Sequence, residues 1–327
     1  MPSSGQATCF GPILPRTTLL RRSETSRQET AVSEEFNFLE DTMVKRIVAG
    51  VAAALFGITI IIFRDTPAMS VVIAILTVLA AREIEKVIGI KNKAIYFISL
   101  AFSGLVPLFY EYRAELGLEM ISTPVIMAVY CVVIFTLMLT DFENTKFEQV
   151  ASVIIATTLV PWAFSTLIFL NDMSETYPGK FDRHHDLFFI LFGLFAAWLT
   201  DTFAYFTGRF LGKHKMCPNI SPKKTVEGAV GGVIGGVLSC VILFLIFDKY
   251  YFTLHTFGIV WVIIVSAVLS VIGMCGDLTA SVVKRNFGVK DFGNILPGHG
   301  GVMDRFDSGL FVLAMLYVFA SVTGTFI

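Results

Sequence analysis

Nine long apolar stretches, at 47–63, 68–81, 94–110, 124–140, 150–170, 187–208, 228–247, 257–276 and 309–327, follow one another along the chain and constrain its fold more than any other feature. A helix that crosses a bilayer needs about 20 mainly apolar residues, within a range of about 17–25. Each stretch meets that length or nearly does. The second is the weakest, because Arg82 and Glu83 interrupt it early. It reads either as a span with amphipathic last turns or as a re-entrant segment. Composition agrees with the spans: 55% of the 327 residues are apolar and 16% charged, against about 25% charged in ordinary soluble domains. Too few polar side chains are present to cover a water-soluble body of this size. The expected fold is an all-α polytopic membrane protein with about nine transmembrane helices.

Basic residues orient such a chain, since Lys and Arg concentrate in cytoplasmic loops. With nine spans and a cytoplasmic N-terminus, 20 of the 25 Lys and Arg residues fall on the cytoplasmic side and 5 on the other. The C-terminus then lies on the opposite side. An eight-span count without the second helix would separate the first long basic loop from the last two. The chain divides into a polar tail (1–42) and three three-helix regions (43–123, 124–211 and 212–327). The tail is rich in Ser, Thr, Pro and Arg and lacks the apolar core of a secretory signal. It is expected to be a disordered cytosolic tail or leader, although its composition also allows a transit peptide. The five cysteines show no C-x-x-C pairing, so neither a disulfide framework nor a zinc site is indicated.

Some residues cannot be explained by hydrophobicity. A charge at bilayer depth is unfavourable by roughly 2.5–3.5 kcal/mol on insertion scales. Asp201 nevertheless sits in the apolar, aromatic run 198–206, and Asp277 closes another run after Gly273 and Gly276. Taken singly, each reads equally well as a residue at the headgroup boundary. The segment GDLTASVVKRNFGVKDFGNILPGHGGVMDRFDS, 276–308, is denser. If the eighth helix continues into it, Asp277, Ser281 and Lys284 stand at i, i+4 and i+7 on one face. Arg285, Lys290 and Asp291 follow, then His299, Gly300 and Gly301, then Asp304, Arg305 and Asp307 at the start of the ninth helix. Consecutive glycines let backbone N–H groups point at an anion. The carboxylates suit a hard cation, and Mg²⁺ is typically held by one or two of them plus substrate phosphates. The cations suit phosphate oxygens, and phosphoryl-type transfer rests mainly on positioning and charge neutralisation.

The other polar loop spans 208–228 and carries Ser221, Lys223 and Lys224 without Walker spacing. Alone, the lysine pair reads as a juxtamembrane basic patch, or as a contact for nucleotide or lipid phosphates. The glycines that follow, Gly228, Gly231, Gly232, Gly235 and Gly236, have the small-residue spacing of close helix packing.

These motifs resemble those of the CTP:phosphatidate cytidylyltransferases, the CDP-diacylglycerol synthases. The family's C-terminal signature runs S-x-x-K-R, four residues, K-D-x-G, then P-x-H-G-G and D-R-x-D. Ser281, Lys284, Arg285, Lys290, Asp291, Gly293, Pro297, His299, Gly300, Gly301, Asp304, Arg305 and Asp307 meet it in full. The middle loop is similar at Asp201, Ala204, Tyr205, Gly208, Ser221, Pro222, Lys223, Lys224, Thr225, Glu227 and Gly228. It departs at Val226, where an aromatic residue is commoner. The resemblance is carried by motifs from about 187 to 309, and before that by hydropathy alone.

The resemblance implies a homodimeric helical bundle in a bacterial inner membrane or its equivalent, with a polar cavity facing the cytoplasm. It implies CTP and phosphatidate as substrates, Mg²⁺ as cofactor with K⁺ as a companion ion, and no nucleic acid partner. Asp277 and Asp304 are the implied metal ligands, with Asp307 a third candidate. Lys284, Arg285, Lys290 and Arg305 are implied phosphate contacts, with Asp291 among them in the catalytic set. Lys223 and Lys224 are implied contacts to nucleotide or lipid phosphates. Asp201, Ser221, Ser281, Gly300 and Gly301 join the substrate-binding set, and His299 either orients a phosphate or is structural. Two rival readings remain at this stage. One is a CTP-using transferase or kinase acting on an isoprenoid lipid. The other is an ion-coupled transporter, against which the crowding of polar motifs into the C-terminal half argues.

Overall fold

The computed structural model describes residues 57–59, 62–295 and 300–326. Its elements in chain order are α1 (Ala68–Ile88), α2 (Lys93–Tyr112), α3 (Thr123–Thr140), α4 (Phe147–Asn171), a one-turn α5 (Met173–Thr176) and α6 (Arg183–Leu211). They continue with β1 (Lys215–Cys217), β2 (Ser221–Thr225), α7 (Val226–Tyr250), α8 (Ile259–Asn286) and α9 (Met303–Phe326). Among the described residues, α2, α3, α4, α6, α7, α8 and α9 are long and apolar enough to cross a membrane. The protein is therefore an all-α polytopic membrane protein. The first apolar stretch, 47–63, lies mostly outside the described residues, and the 1–42 tail wholly so.

The weak second stretch is one continuous helix. It runs past 81 to Ile88 and stops at Gly89 (φ 74), a left-handed position that glycine takes without strain. It is unbroken over 21 residues. Its charged last turns keep it out of the apolar seven, yet they bury Glu83 and Glu85. A hairpin of β1 and β2 lies within the polar loop 208–228. It is antiparallel, with Lys215 opposite Thr225 and Cys217 opposite Ser221.

Helix ends follow from capping side chains, which satisfy first-turn N–H groups that have no partner within the helix. Asn92 caps α2 through bonds from the Ala94 and Ile95 amides, and Thr225 caps α7 through a bond from the Gly228 amide. Asp182 caps α6, accepting from the His184 and His185 amides at 2.9 and 3.1 Å. Its other oxygen accepts from the Thr253 amide and hydroxyl. Burial alone would raise the Asp182 pKa, but these bonds outweigh it and hold the carboxyl well below its ordinary range. Behind this cap, Phe188, Phe189, Phe252, Phe257 and Trp261 form an aromatic core around His185, whose ring stacks on Phe252 at 4.0 Å.

The tightest helix pair is α6 with α7, and the glycine stripe explains it. Gly231, Gly232, Gly235 and Gly236 of α7 lie directly against Thr207, Ala204, Phe203 and Thr200 of α6. A Cβ at any of the four would collide with its neighbour, so the backbones approach as small-residue seams allow. Thr200 also bonds Ser270 of α8 at 2.8 Å, tying three helices together. Ile234, Leu238 and Ile242 of α7 and Val129 and Val132 of α3 face outward, as the apolar periphery of a membrane protein does.

Candidate active site

The polar residues converge at the end of the bundle opposite the aromatic core. The C-termini of α1, α6 and α8 reach this end, as do the hairpin and the N-termini of α7 and α9. Both polar loops therefore share one end.

The hairpin is held to its helices by Glu227 in the first turn of α7. That carboxylate accepts from the Lys213 and His214 amides and from the His214 ring at 2.5 Å. Thr225 sits against Gly208, Gly212 and Gly228, and a Cβ on any of these three glycines would run into it. With its base fixed, β2 presents Lys223 and Lys224 on opposite faces, as successive strand residues must be. Lys224 turns inward and pairs with Asp277 of α8 at 2.5 Å. Lys223 is exposed and makes no ion pair among the described residues.

Helix α8 does continue through the motif, so Asp277, Ser281 and Lys284 share a face. Lys284 is only 8% exposed. Its Nζ lies 2.8 Å from Asp304 Oδ1 and 4.0 Å from Asp307 Oδ2, and 5.2 Å from the centre of the Phe292 ring. Asp304 ties Phe292 to Gly301. Its Oδ2 accepts from the Phe292 amide at 2.8 Å and the Gly301 amide at 3.0 Å. Ser308, one turn along α9, donates to Asp201 of α6 at 2.8 Å. Asp201, Asp277 and Asp307 are close enough for their negative charges to oppose one another.

A protein-family model described as "Cytidylyltransferase family" matches residues 44–323. The chain belongs to that family. Its relatives include a Bacillus subtilis protein named phosphatidate cytidylyltransferase, 30% identical over 278 residues, which are 84% of this chain and 96% of the relative. Staphylococcus epidermidis and Staphylococcus aureus proteins of the same name are 49% and 44% identical over 136 and 137 residues. The chain spans about half the length of these staphylococcal relatives, 50% in each case.

Of the cytidylyltransferase signature, the structure brings Asp201, Lys224, Asp277, Ser281, Lys284, Asp304 and Asp307 to one end of the bundle. Arg285, Lys290, Asp291 and Arg305 are exposed around it, and Arg285 donates to the Val289 carbonyl at 3.2 Å. Ser221 opens β2 at the far end of the strand from α7. Gly300 has φ 79, a conformation other residues rarely adopt, and Gly301 is buried. Pro297 and His299 lie outside the described residues. Two participants were not singled out in the sequence. Ser308 had no signal beyond its place next to Asp307. Glu83 showed only as a charge interrupting an apolar stretch.

The donor set fits Mg²⁺, which prefers oxygen ligands and usually takes one or two carboxylates with the rest from water and substrate. Among the described residues no three acidic, His or Cys side chains form a ready-made cage. Asp304 already holds two backbone amides on Oδ2 and the Lys284 ammonium on Oδ1, so a metal ligated by Oδ1 would share that oxygen with Lys284.

Proposed function

We propose that this chain transfers a cytidylyl group from CTP to phosphatidate, forming CDP-diacylglycerol and pyrophosphate. One observation carries the reading: Lys224, Asp277, Lys284, Asp304 and Asp307 meet at one end of a membrane bundle, in a family whose relatives here bear the name phosphatidate cytidylyltransferase. In the reaction a phosphate oxygen of the lipid bonds to the α-phosphorus of CTP. The bond from that phosphorus to the α,β-bridging oxygen breaks, and pyrophosphate leaves with the electron pair. The nucleophile is already an anion, so no strong general base is needed.

The protein's task is to let two polyanions approach. Lys224 and Lys284, held by carboxylates on the inner wall, are placed to meet phosphate oxygens. Lys223, Arg285, Lys290 and Arg305 form an outer basic rim that draws nucleotide and lipid headgroup inward. Asp277, with Asp304 or Asp307, would hold Mg²⁺, which would supply further neutralisation of phosphate charge. The basic bias of the loops supports a cytoplasmic active end, and the family resemblance supports a homodimer.

The deciding experiment is pyrophosphate release by detergent-purified protein given CTP and phosphatidate, with and without Mg²⁺. Metal-dependent release that requires both substrates is expected. Absence of release from folded protein with phosphatidate, but release with an isoprenoid phosphate, would overturn the choice of acceptor.

A further inference from the structure

We propose that Glu83, in the last turns of α1, is a positioning residue that sets the start of α9 and thereby the site's carboxylates. Glu83 is only 3% exposed and makes no ion pair among the described residues. Its Oε1 accepts from the Val302 amide at 3.0 Å and its Oε2 from the Met303 amide at 2.9 Å. These amides belong to the helix start, where N–H groups have no partner within the helix. A carboxylate there satisfies two of them and lies at the positive end of the helix dipole. A capping side chain ordinarily comes from the residue just before the helix. Here it arrives from another helix, more than 200 residues earlier in the chain.

The neighbouring amide is taken as well. Gly301 donates to Asp304, so three consecutive N–H groups, at 301, 302 and 303, each end on a carboxylate. Glu83 is wedged between Gly293 and Gly301, and a Cβ on either glycine would run into its carboxylate. That contact gives a physical reason for glycine at two signature positions where φ alone demands nothing. Asp304 follows in the first turn of α9 and Asp307 one turn on, and both face Lys284. Fixing the height and rotation of α9 at its first amides therefore fixes where those carboxylates stand against α8.

The catalytic half of this inference rests on the cytidylyl-transfer reading, whereas the clamp itself can be read without it. The test uses the full chain in detergent, as Glu83→Gln, Glu83→Asp and Gly301→Ala. Glu83→Gln keeps the length but turns an amide donor toward N–H groups. Gly301→Ala displaces the carboxylate from the other side without changing charge.

Hydrogen exchange of the segment 301–306 is expected to rise about tenfold or more in Glu83→Gln and Gly301→Ala, with α6 and α7 unaffected. Turnover at saturating substrates should fall about 10- to 100-fold, as misplacement by about 1 Å does, with little change in KM for CTP. Glu83→Asp should recover part of the turnover. Unchanged exchange at 301–306 would overturn the clamp, as would exchange raised equally throughout the chain. Loss confined to KM would overturn the positioning role. A parent protein that shows the exchange response but turns over no CTP with phosphatidate would leave the clamp standing and sink the proposed reaction.

Discussion

Replacing Lys284 with Met removes a buried cation that faces both Asp304 and Asp307, and the size of the effect can be worked out. The Nζ–carboxylate distances are 2.8 and 4.0 Å, and the lysine side chain is 11% exposed. With an effective dielectric of about 20, the two attractions come to about 6 and about 4 kcal/mol before desolvation. Holding the ammonium out of water takes back several kcal/mol. Truncating one partner of a buried pair typically destabilises by about 3–5 kcal/mol, because the remaining charges stay buried without a counter-charge. For domains of 150–250 residues each kcal/mol moves the unfolding midpoint by about 2–4 °C, so a drop of roughly 6 °C or more is expected.

The assay is thermal unfolding in detergent followed by tryptophan fluorescence, run beside pyrophosphate release. The double variant Lys284→Met with Asp304→Asn relieves part of the unpaired charge. It should recover about 1–3 kcal/mol of coupling while turnover stays lost. Stability and activity then separate, as they must if Lys284 both neutralises the carboxylates and meets phosphate. An unfolding midpoint for Lys284→Met within the error of the parent's would refute the buried-pair reasoning. Turnover returning together with stability in the double variant would refute the catalytic part.

Lys224→Ala should lower turnover about 100-fold or more, the scale of losing one charge-stabilising donor. Lys223→Ala should cost about threefold or less, since an exposed unpaired cation contributes little; steady-state kinetics of the two variants side by side decide it. Asp277→Asn should raise the Mg²⁺ concentration for half-maximal turnover about tenfold or more, and an unaltered metal titration would remove Asp277 from the ligand set. For Asp182 the folded pKa lies below the unfolded value. Its stabilising contribution is therefore fully present above an unfolded pKa of about 3.9 and fades as pH falls through that value toward the folded one. The difference in unfolding midpoint between parent and Asp182→Asn should be constant above about pH 5 and shrink below about pH 4.

The spans and the site were legible to very different degrees, and for physical reasons. Apolar length alone identifies α2 to α4 and α6 to α9, since a bilayer imposes one requirement on every spanning segment. The same criterion undervalues α1. Its last turns exchange apolar residues for Glu83 and Glu85, which are buried in protein, and hydropathy cannot tell a carboxylate facing a helix terminus from one facing water. The α8 face carrying Asp277, Ser281 and Lys284 was readable because helical periodicity converts spacing into direction. The lysine pair was not, because its meaning depends on period 2. Only the hairpin sends Lys224 to Asp277 and leaves Lys223 outside. The Glu83 clamp connects positions too far apart for any local pattern to record.

The arrangement of charge explains why so acidic an inner wall serves a reaction between anions. Among the described residues Lys224 pairs with Asp277, and Lys284 with Asp304 and Asp307, so on this inner wall two lysines stand among the four carboxylates of Asp201, Asp277, Asp304 and Asp307. Lys223, Arg285, Lys290 and Arg305 lie exposed around it. Phosphates alone would be drawn to the rim and repelled by the wall. A divalent cation alone would be drawn to the wall. Only the two together neutralise both zones, which couples nucleotide binding to metal binding without a preformed cage. It follows that CTP should bind far more weakly without Mg²⁺ than with it, and that neutralising one wall carboxylate should reduce that difference. Calorimetric titration of CTP with and without Mg²⁺, on the parent and on Asp277→Asn, would show it. Equal CTP affinity in the parent with and without the metal would mean that the rim acts alone.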